Sequence, residues 1–288
     1  MTLLERFAYL IDLKTVLKSY LTRLPLRIEL PPRRSDRALL IGNGPSFGNV
    51  DPEKCKGYDI ICVNNFSLTQ AFERLKPDTI ILWDPCYNDL GLMGQALRAL
   101  AGSDFCNNIV WPHGVPLDRA LALMPPSKKH IFLPTAHNYF LPWFNPKRWM
   151  LGGGGVVHVG LNFAIQMGYK EIVLVGFEHD HIVRDLIIPK DNRIYLKESH
   201  FYQENEKEIE GYGDLTYRHN GQLYRSYDPD KPDTDLRVVF MRNWLFHQVF
   251  YTLGRIARKR GIRIFNASPL SWIMTFPKID PADLDKPL

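Results

Sequence analysis

Short, apolar runs alternate with longer helix-like stretches from Arg37 to near the end of the chain, and this alternation constrains the fold more than any other feature. Residues 38–42, 59–63, 79–83, 108–111, 130–133, 172–175 and 263–265 have strand length and β-rich composition. Several of these runs are apolar throughout. A strand of that kind must be buried on both faces, as in a parallel sheet with helices above and below it. Residues 68–75, 90–101, 118–123, 157–167 and 235–260 read as the intervening helices. Strand and helix in alternation predict an α/β fold, a Rossmann-like, mostly parallel sheet with helices on both faces.

One stretch breaks the pattern. From His179 to about Lys231 the chain is polar, rich in charged residues and tyrosines, and poor in periodic apolar positions. It follows a strand end at Gly176, on the sheet edge where ligands bind in open α/β folds. An irregular inserted lid over about 177–232 is the expectation. At the other end of the chain, residues 1–23 read as an amphipathic helix carrying Leu3, Phe7, Leu10, Ile11, Leu17 and Leu21. It would pack on the domain or another subunit, or lie on an anionic bilayer. The break at Pro31-Pro32-Arg33-Arg34-Ser35 divides an N-terminal helix and linker, 1–34, from one domain spanning 35–288.

The bulk properties exclude several classes. No apolar run approaches the ~20 residues of a membrane-spanning helix, and the start of the chain lacks the pattern of a signal peptide. Four cysteines at irregular spacing, with no CxxC, argue against a disulfide framework and a structural zinc site. A cytoplasmic setting is expected, including the inner face of the cytoplasmic membrane. The net charge of +5 gathers at residues 23–37 and 255–263, without a nucleic-acid motif or a long basic stripe, so nucleic acid is not an expected partner.

The candidate site residues sit at strand ends. The first strand runs into Gly42-Asn43-Gly44-Pro45-Ser46, where two glycines permit a sharp turn and close approach to a ligand. Asn43 offers an amide and Ser46 a hydroxyl. Neither the GxGxxG nor the GxxxxGK[ST] fingerprint is met. The second strand ends in Val63-Asn64-Asn65-Phe66 and the third in Trp83-Asp84-Pro85, on the same expected carboxyl edge. Asn and Asp are also ordinary turn residues, and Asp84 has no second carboxylate placed to share a metal. Gly152-Gly153-Gly154-Gly155 precede a helix whose open amides suit a phosphate; the same glycines would also serve as a flexible joint.

Taken in order, Gly42–Ser46, Asn64-Asn65-Phe66, Met167-Gly168-Tyr169-Lys170-Glu171-Ile172 and Gly261-Ile262-Arg263-Ile264-Phe265-Asn266-Ala267-Ser268 resemble the bacterial CMP-sialic-acid-dependent sialyltransferases. The wider superfamily, with motility-associated and lipopolysaccharide glycosyltransferases, is similar too. The matches spread over about residues 37–271. The resemblance implies a single Rossmann-like domain with an inserted lid and a metal-independent, inverting sugar transfer. It implies that Asn43 and Asn64 contact the nucleotide and sugar, that the Gly152–Gly155 turn, with Gly153 and Gly154, lies by the sugar or phosphate, and that Asn266 and Ser268 lie near the cytidine. Gly42, Gly44, Ser46 and Asp84 are nucleotide- or sugar-binding candidates from their places at the strand ends. A histidine in a Ser-His-aromatic setting would be the general base, and Ser199-His200-Phe201-Tyr202 fits that setting.

The sequence departs from the family pattern at one place. Where these enzymes carry tyrosines after a Gly-x-Asp strand end, this chain has Gly176-Phe177-Glu178-His179-Asp180-His181. His179 or His181 would then take over as phosphate donor, with Tyr195, Tyr202 or Tyr212 reaching in from the lid. The departure leaves the donor sugar open among sialic acid, Kdo, another acidic sugar and other nucleotide sugars. The expected function is transfer from a nucleotide-activated donor, CMP-linked in the family, to a bacterial surface glycan or lipopolysaccharide acceptor. No cofactor or bound metal is expected. The expected partners are the nucleotide sugar, a glycan or lipid-linked acceptor, the membrane surface and a second copy of the chain. Two alternatives stand beside it. One is an ATP- and metal-dependent enzyme like the archaeal pterin diphosphokinases, which share the Gly-x-Gly-Pro-Ser turn and would draw on Asp84 and the His-Asp-His cluster. The other is a non-catalytic nucleotide-binding scaffold of glycan assembly.

Overall fold

A computed structural model describes residues 29–83, 85–88, 90–112, 116–133, 155–179 and 236–286, together with short strands at 135–137, 150–152, 186–187, 194–197, 216–219 and 222–227. The expected N-terminal helix lies outside the described residues.

Seven parallel strands form the main sheet: β1 (Arg37–Ile41), β2 (Asp59–Val63), β3 (Thr79–Ile81), β4 (Asn108–Pro112), β5 (Lys129–Leu133), β8 (Glu171–Val175) and β13 (Arg263–Asn266). Two further strands, β6 (Thr135–His137) and β7 (Met150–Gly152), pair with each other. The order across the main sheet is β13-β8-β1-β2-β3-β4-β5. Register is fixed by pairs such as Leu40 with Ile61 on one side and Leu40 with Leu174 on the other. All seven strands lie at the positions where the apolar runs predict them.

Side-chain alternation divides the core into two layers. Ala38, Leu40, Ile61, Val63, Ile172 and Leu174 face α4 (Val156–Met167) and α5 (Leu236–Lys259). Leu39, Ile41, Ile60, Cys62, Val173 and Val175 face the opposite layer, with Phe72 of α1 (Gln70–Leu75), Leu97 of α2 (Leu90–Gly102) and Ala120 of α3 (Asp118–Ala122). A period of two on each strand thus fills both cores at once. Helix α4 is buried from Val157 to Ile165. Gly160 lets it settle on β1, since a Cβ there would stand 2.8 Å from Leu40 Cδ1. Gly168 ends it in the left-handed conformation (φ +78°).

Polar groups buried at the amino edge of the sheet are paired. Glu171 accepts from Arg37 Nε at 2.6 Å and from Arg263 at 2.9 Å. Asp59 Oδ2 accepts the backbone N–H of Arg34 at 3.0 Å and the Tyr169 hydroxyl at 2.9 Å. Burial and the Asp59 carboxylate raise the Tyr169 phenol well above its ordinary value, so it stays a donor. This edge serves stability and leaves the opposite, carboxyl edge for ligands.

The segment expected to be an irregular lid is ordered in part as sheet, which corrects that expectation. β9 (Leu186–Ile187), β10 (Ile194–Lys197), β11 (Thr216–His219) and β12 (Gln222–Tyr227) form a four-stranded antiparallel sheet in the order β11-β12-β10-β9. Their mixed polar sequences conceal the pattern, since short antiparallel strands can keep one face in water.

Candidate functional site

Strand order reverses between β1 and β8. The connections from β1 through β5 move to one side of β1, while β8 and then β13 lie on the other. Loops leaving adjacent strands in opposite directions open a crevice at the carboxyl edge, the usual place for a ligand in a doubly wound sheet. A pocket of about 190 Å³ lies there, lined by Asn43, Gly44, Val63, Asn64, Gly155, Val156, Val157, Gly176, Phe177, Glu178, His179 and Phe246.

The two loops at its floor are tied to each other. Gly42 N–H donates to Val175 O and Gly44 N–H to Gly176 O, both at 2.8 Å. A Cβ on Gly42 would fall 2.6 Å from the Phe177 ring, and one on Gly44 would fall 2.6 Å from both Gly176 O and Glu178 Cδ. Gly176, at φ +73°, would bring a Cβ within 2.7 Å of Gly42 O. What these glycines make room for is the neighbouring loop. The approach to a ligand that the sequence suggests is secondary to that packing.

Glu178 is 4% exposed, and its Oε1 accepts the Ser46 N–H at 3.0 Å. Its backbone oxygen accepts from Trp272 N–H at 2.6 Å. One carboxylate therefore fixes the end of the glycine loop while lining the pocket. The Asn43 amide donates to Val63 O at 3.2 Å. Its Oδ1 is buried without a hydrogen-bond partner among the described residues, and so is the Ser46 hydroxyl. Buried acceptors in that condition are costly unless a ligand or water meets them. Asn64 Oδ1 accepts the Trp83 N–H at 3.0 Å, which leaves its amide nitrogen as the group that could meet a ligand.

Two of the three non-glycine residues with left-handed backbone among the described residues, Asn64 (φ 48°) and His179 (φ 52°), line this pocket; the third, Lys76, caps a helix. Such conformations are uncommon outside glycine and concentrate at functional sites. The Phe246 ring lies between His158, at 3.9 Å between centroids, and His179, at 4.6 Å. It also presses on the start of α4, where a Cβ on Gly155 would collide with the ring at Cζ and Cε2. Helix α4 begins at the pocket with no side-chain cap. Its first N–H groups and the positive end of its dipole are thus available to an anion.

The structure brings together Gly42, Asn43, Gly44, Ser46, Asn64 and His179 from the sequence-predicted set. Asn266 and Ser268 stand behind the pocket. Asn266 Oδ1 accepts the Ser268 N–H, its amide donates to Ile273 O, and Ser268 Oγ accepts the Phe177 N–H. These bonds hold the loop after β13 against the exit of β8. Asp84, Gly153, Gly154, Asp180, His181, His200, Tyr202 and Tyr212 lie outside the described residues, as does the side chain of Tyr195. No group of three or more potential metal ligands occurs among the described residues. Glu178 and Phe246 are site residues that carry no role in the sequence reading. Glu178 stands two residues beyond a strand-ending glycine, which is a signal; Phe246 has none, being one apolar residue of a long helix.

The chain matches no protein-family model and no curated protein. Among solved structures it is similar to the sialyltransferase CstII from Campylobacter jejuni, solved in complex with a substrate analogue, CMP-3FNeuAc. The two are 14% identical over 88% of each chain, with a TM-score of 0.42. A likeness that distant carries no weight for function. The fold itself defines a class, the Rossmann-like α/β proteins with a crevice at the switch point of a parallel sheet.

Proposed function

We propose that this chain is a glycosyltransferase that holds a nucleotide-activated sugar in the crevice between β1 and β8 and passes the sugar, with inversion, to a bacterial surface glycan or lipopolysaccharide acceptor. The observation that carries this reading is the composition of the pocket. An uncapped helix start, two asparagines, one buried carboxylate and one histidine converge on a single crevice. At about 190 Å³ it is below the ~300–1,000 Å³ of complete small-molecule sites, so it suits one portion of a nucleotide sugar. Phosphate oxygens belong at the Val156 and Val157 amides, and Glu178 repels them from the far end. The Asn43 Oδ1 suits a donor, such as a ribose hydroxyl or an exocyclic amine of the base.

Displacement at an anomeric carbon needs a base for the acceptor hydroxyl and fixed donors for the departing phosphate. In this reading His200 takes the acceptor proton, the hydroxyl oxygen bonds to the anomeric carbon, and the nucleotide leaves with the electrons of the broken bond. The base assignment rests on the resemblance of Ser199-His200-Phe201-Tyr202 to the family setting. His179 and Tyr202 are the candidates to support the leaving phosphate. Donor sugar and acceptor remain those of the family at large.

A nucleotide panel in thermal shift tests the reading: CMP, CDP, UDP, GDP and ATP, each with and without magnesium. A ligand at 100 times its Kd adds about 2.7 kcal/mol of stability, a rise of roughly 5 °C or more. Stabilisation by CMP or another pyrimidine nucleotide without metal is the expected result. A response to ATP that requires magnesium, or none to any nucleotide, would overturn the proposal.

A further inference from the structure

Helix α5 turns aromatic and cationic side chains to solvent along one face, with the half-buried His247 between Trp244 and Tyr251. At 3.6 residues per turn, Phe240, Trp244, Tyr251, Arg255 and Arg258 fall within about 60° of one another, along ~27 Å of helix. Phe240 is 55%, Trp244 49% and Tyr251 55% exposed. An amphipathic helix packed on a sheet ordinarily turns polar residues outward. Here the outward face holds three large aromatics and then cations. The helix contains no Asp or Glu, and among the described residues Arg255, Arg258 and Lys259 enter no salt bridge.

A second exposed apolar element flanks the stripe. After β13, Ser271 and Ile273 turn inward, while Leu270 (67% exposed), Trp272 (42%) and Met274 (78%) turn out. This segment is laid on α5 through Phe276, whose ring lies 6.1 Å from that of Phe250, and through Thr275 beside Gly254. The same segment reaches the pocket wall, where Trp272 N–H donates to Glu178 O.

We infer that the outer face of α5 and the Leu270–Met274 edge form a docking surface for an anionic phospholipid bilayer. Trp, Tyr and Phe suit the headgroup boundary, where one end of the ring is apolar and the other wet. Unpaired Arg and Lys beside them are drawn to anionic lipid. The charge pattern favours this occupant over two others. Residues 1–28 carry five basic residues against two acidic ones, so that segment shares the sign of the stripe. A second copy of the chain carries the same net charge of +5 and the same helix without acidic residues, so it offers the cations of this face no anionic partner. The inference goes beyond the enzymatic proposal and does not depend on it, because vesicle binding is measured without any nucleotide.

The test is co-sedimentation of the full chain with vesicles of phosphatidylcholine alone, and of phosphatidylcholine with phosphatidylglycerol, at low and high salt. Binding only to the anionic vesicles, weakened by salt, is expected. Arg255→Gln with Arg258→Gln should lower that binding about 30-fold, and Tyr251→Ser with Met274→Ser should lower it at least severalfold. All four positions are exposed, so circular dichroism and Tm should stay at wild-type values. Equal binding to both vesicle types, or none to either, would overturn the inference. So would loss of binding in Lys14→Gln with Lys18→Gln while the α5 variants bind normally. Concentration-dependent self-association that Tyr251→Ser with Met274→Ser abolishes, without vesicle binding, would assign the face to a second copy instead.

Discussion

Gly44→Ala probes the contact on which the pocket floor depends. A methyl group at this position would stand 2.6 Å from Gly176 O and 2.6 Å from Glu178 Cδ, against an ordinary separation of about 3.5–4 Å. The carbonyl belongs to a backbone held by β8 and cannot rotate aside, so the loops must part by roughly 1 Å. Overpacking of this kind costs about 1–3 kcal/mol. Parting the loops also weakens the 2.8 Å bond from Gly44 N–H to Gly176 O, worth about 1 kcal/mol. The bond from Ser46 N–H to the Glu178 carboxylate is weakened with it, at about 1.5 kcal/mol. Alanine returns about 0.4–1 kcal/mol by restricting the unfolded chain. The net is about 4 kcal/mol, or a fall in Tm of roughly 8–16 °C. The assay is thermal and urea unfolding, with Gly48→Ala as the control, since nothing lies within 4 Å of a Cβ there. Glu178→Ala alone leaves the Ser46 N–H unpaired and should cost about 2 kcal/mol. The double variant should cost at least about 1 kcal/mol less than the sum of the two, because removing the carboxylate relieves half the clash. Gly44→Ala within about 0.5 kcal/mol of wild type, or strict additivity with Glu178→Ala, would refute the packing argument.

Three other outcomes follow from the core. Burial pushes the Cys55 thiol up to about 12, and the Cys106 thiol likewise to about 12, and raises Cys62 well above its ordinary value; peptide mapping after native labelling with a thiol reagent at pH 8 should find none of the three modified, and rapid labelling at any of them would contradict their burial. His130 accepts the Trp111 indole N–H at Nδ1, at 3.0 Å, and burial depresses its pKa below the ordinary 6.5. The unfolded chain therefore binds the proton first, so this contribution to stability is complete above pH 6.5 and is lost as pH falls through the folded value; an NMR titration giving His130 a pKa above 6.5 would reverse the sign. Arg37→Ala strips the buried Glu171 carboxylate of its 2.6 Å partner, leaving the more exposed Arg263, and should cost about 3 kcal/mol in urea unfolding; a loss under about 1 kcal/mol would mean that Arg263 alone suffices.

The parallel sheet was legible because burial on both faces leaves a strand no polar alternation to hide it. Leu39-Leu40-Ile41 and Ile172-Val173-Leu174-Val175 can scarcely be anything else. The antiparallel sheet at 186–227 was hidden for the converse reason. Leu186–Ile187 is too short to show a period, and Gln-Leu-Tyr-Arg-Ser-Tyr at 222–227 mixes polar and aromatic residues as a loop does. In the pocket, Gly42, Asn43, Gly44 and Asn64 announce themselves by residue type at strand ends. The reason for the glycines does not, since Gly176 and Phe177 are far away in sequence and only the sheet order sets them against Gly42. Phe246 was illegible on the same ground. The sequence suggests an Asn/Ser turn, whereas Asn266 closes β13 and the turn opens at Ser268; no local pattern tells a loop that binds ligand from one that locks a neighbour.

Hydrogen exchange with and without the nucleotide that best stabilises the chain tests the central claim most directly, because it reports where that nucleotide sits. A ligand in the crevice between β1 and β8 should slow exchange in peptides covering Gly42–Ser46 and the start of α4 at Val156 and Val157, with little change at the basic end of α5. A nucleotide that binds and yet leaves both of those segments unprotected would contradict the account.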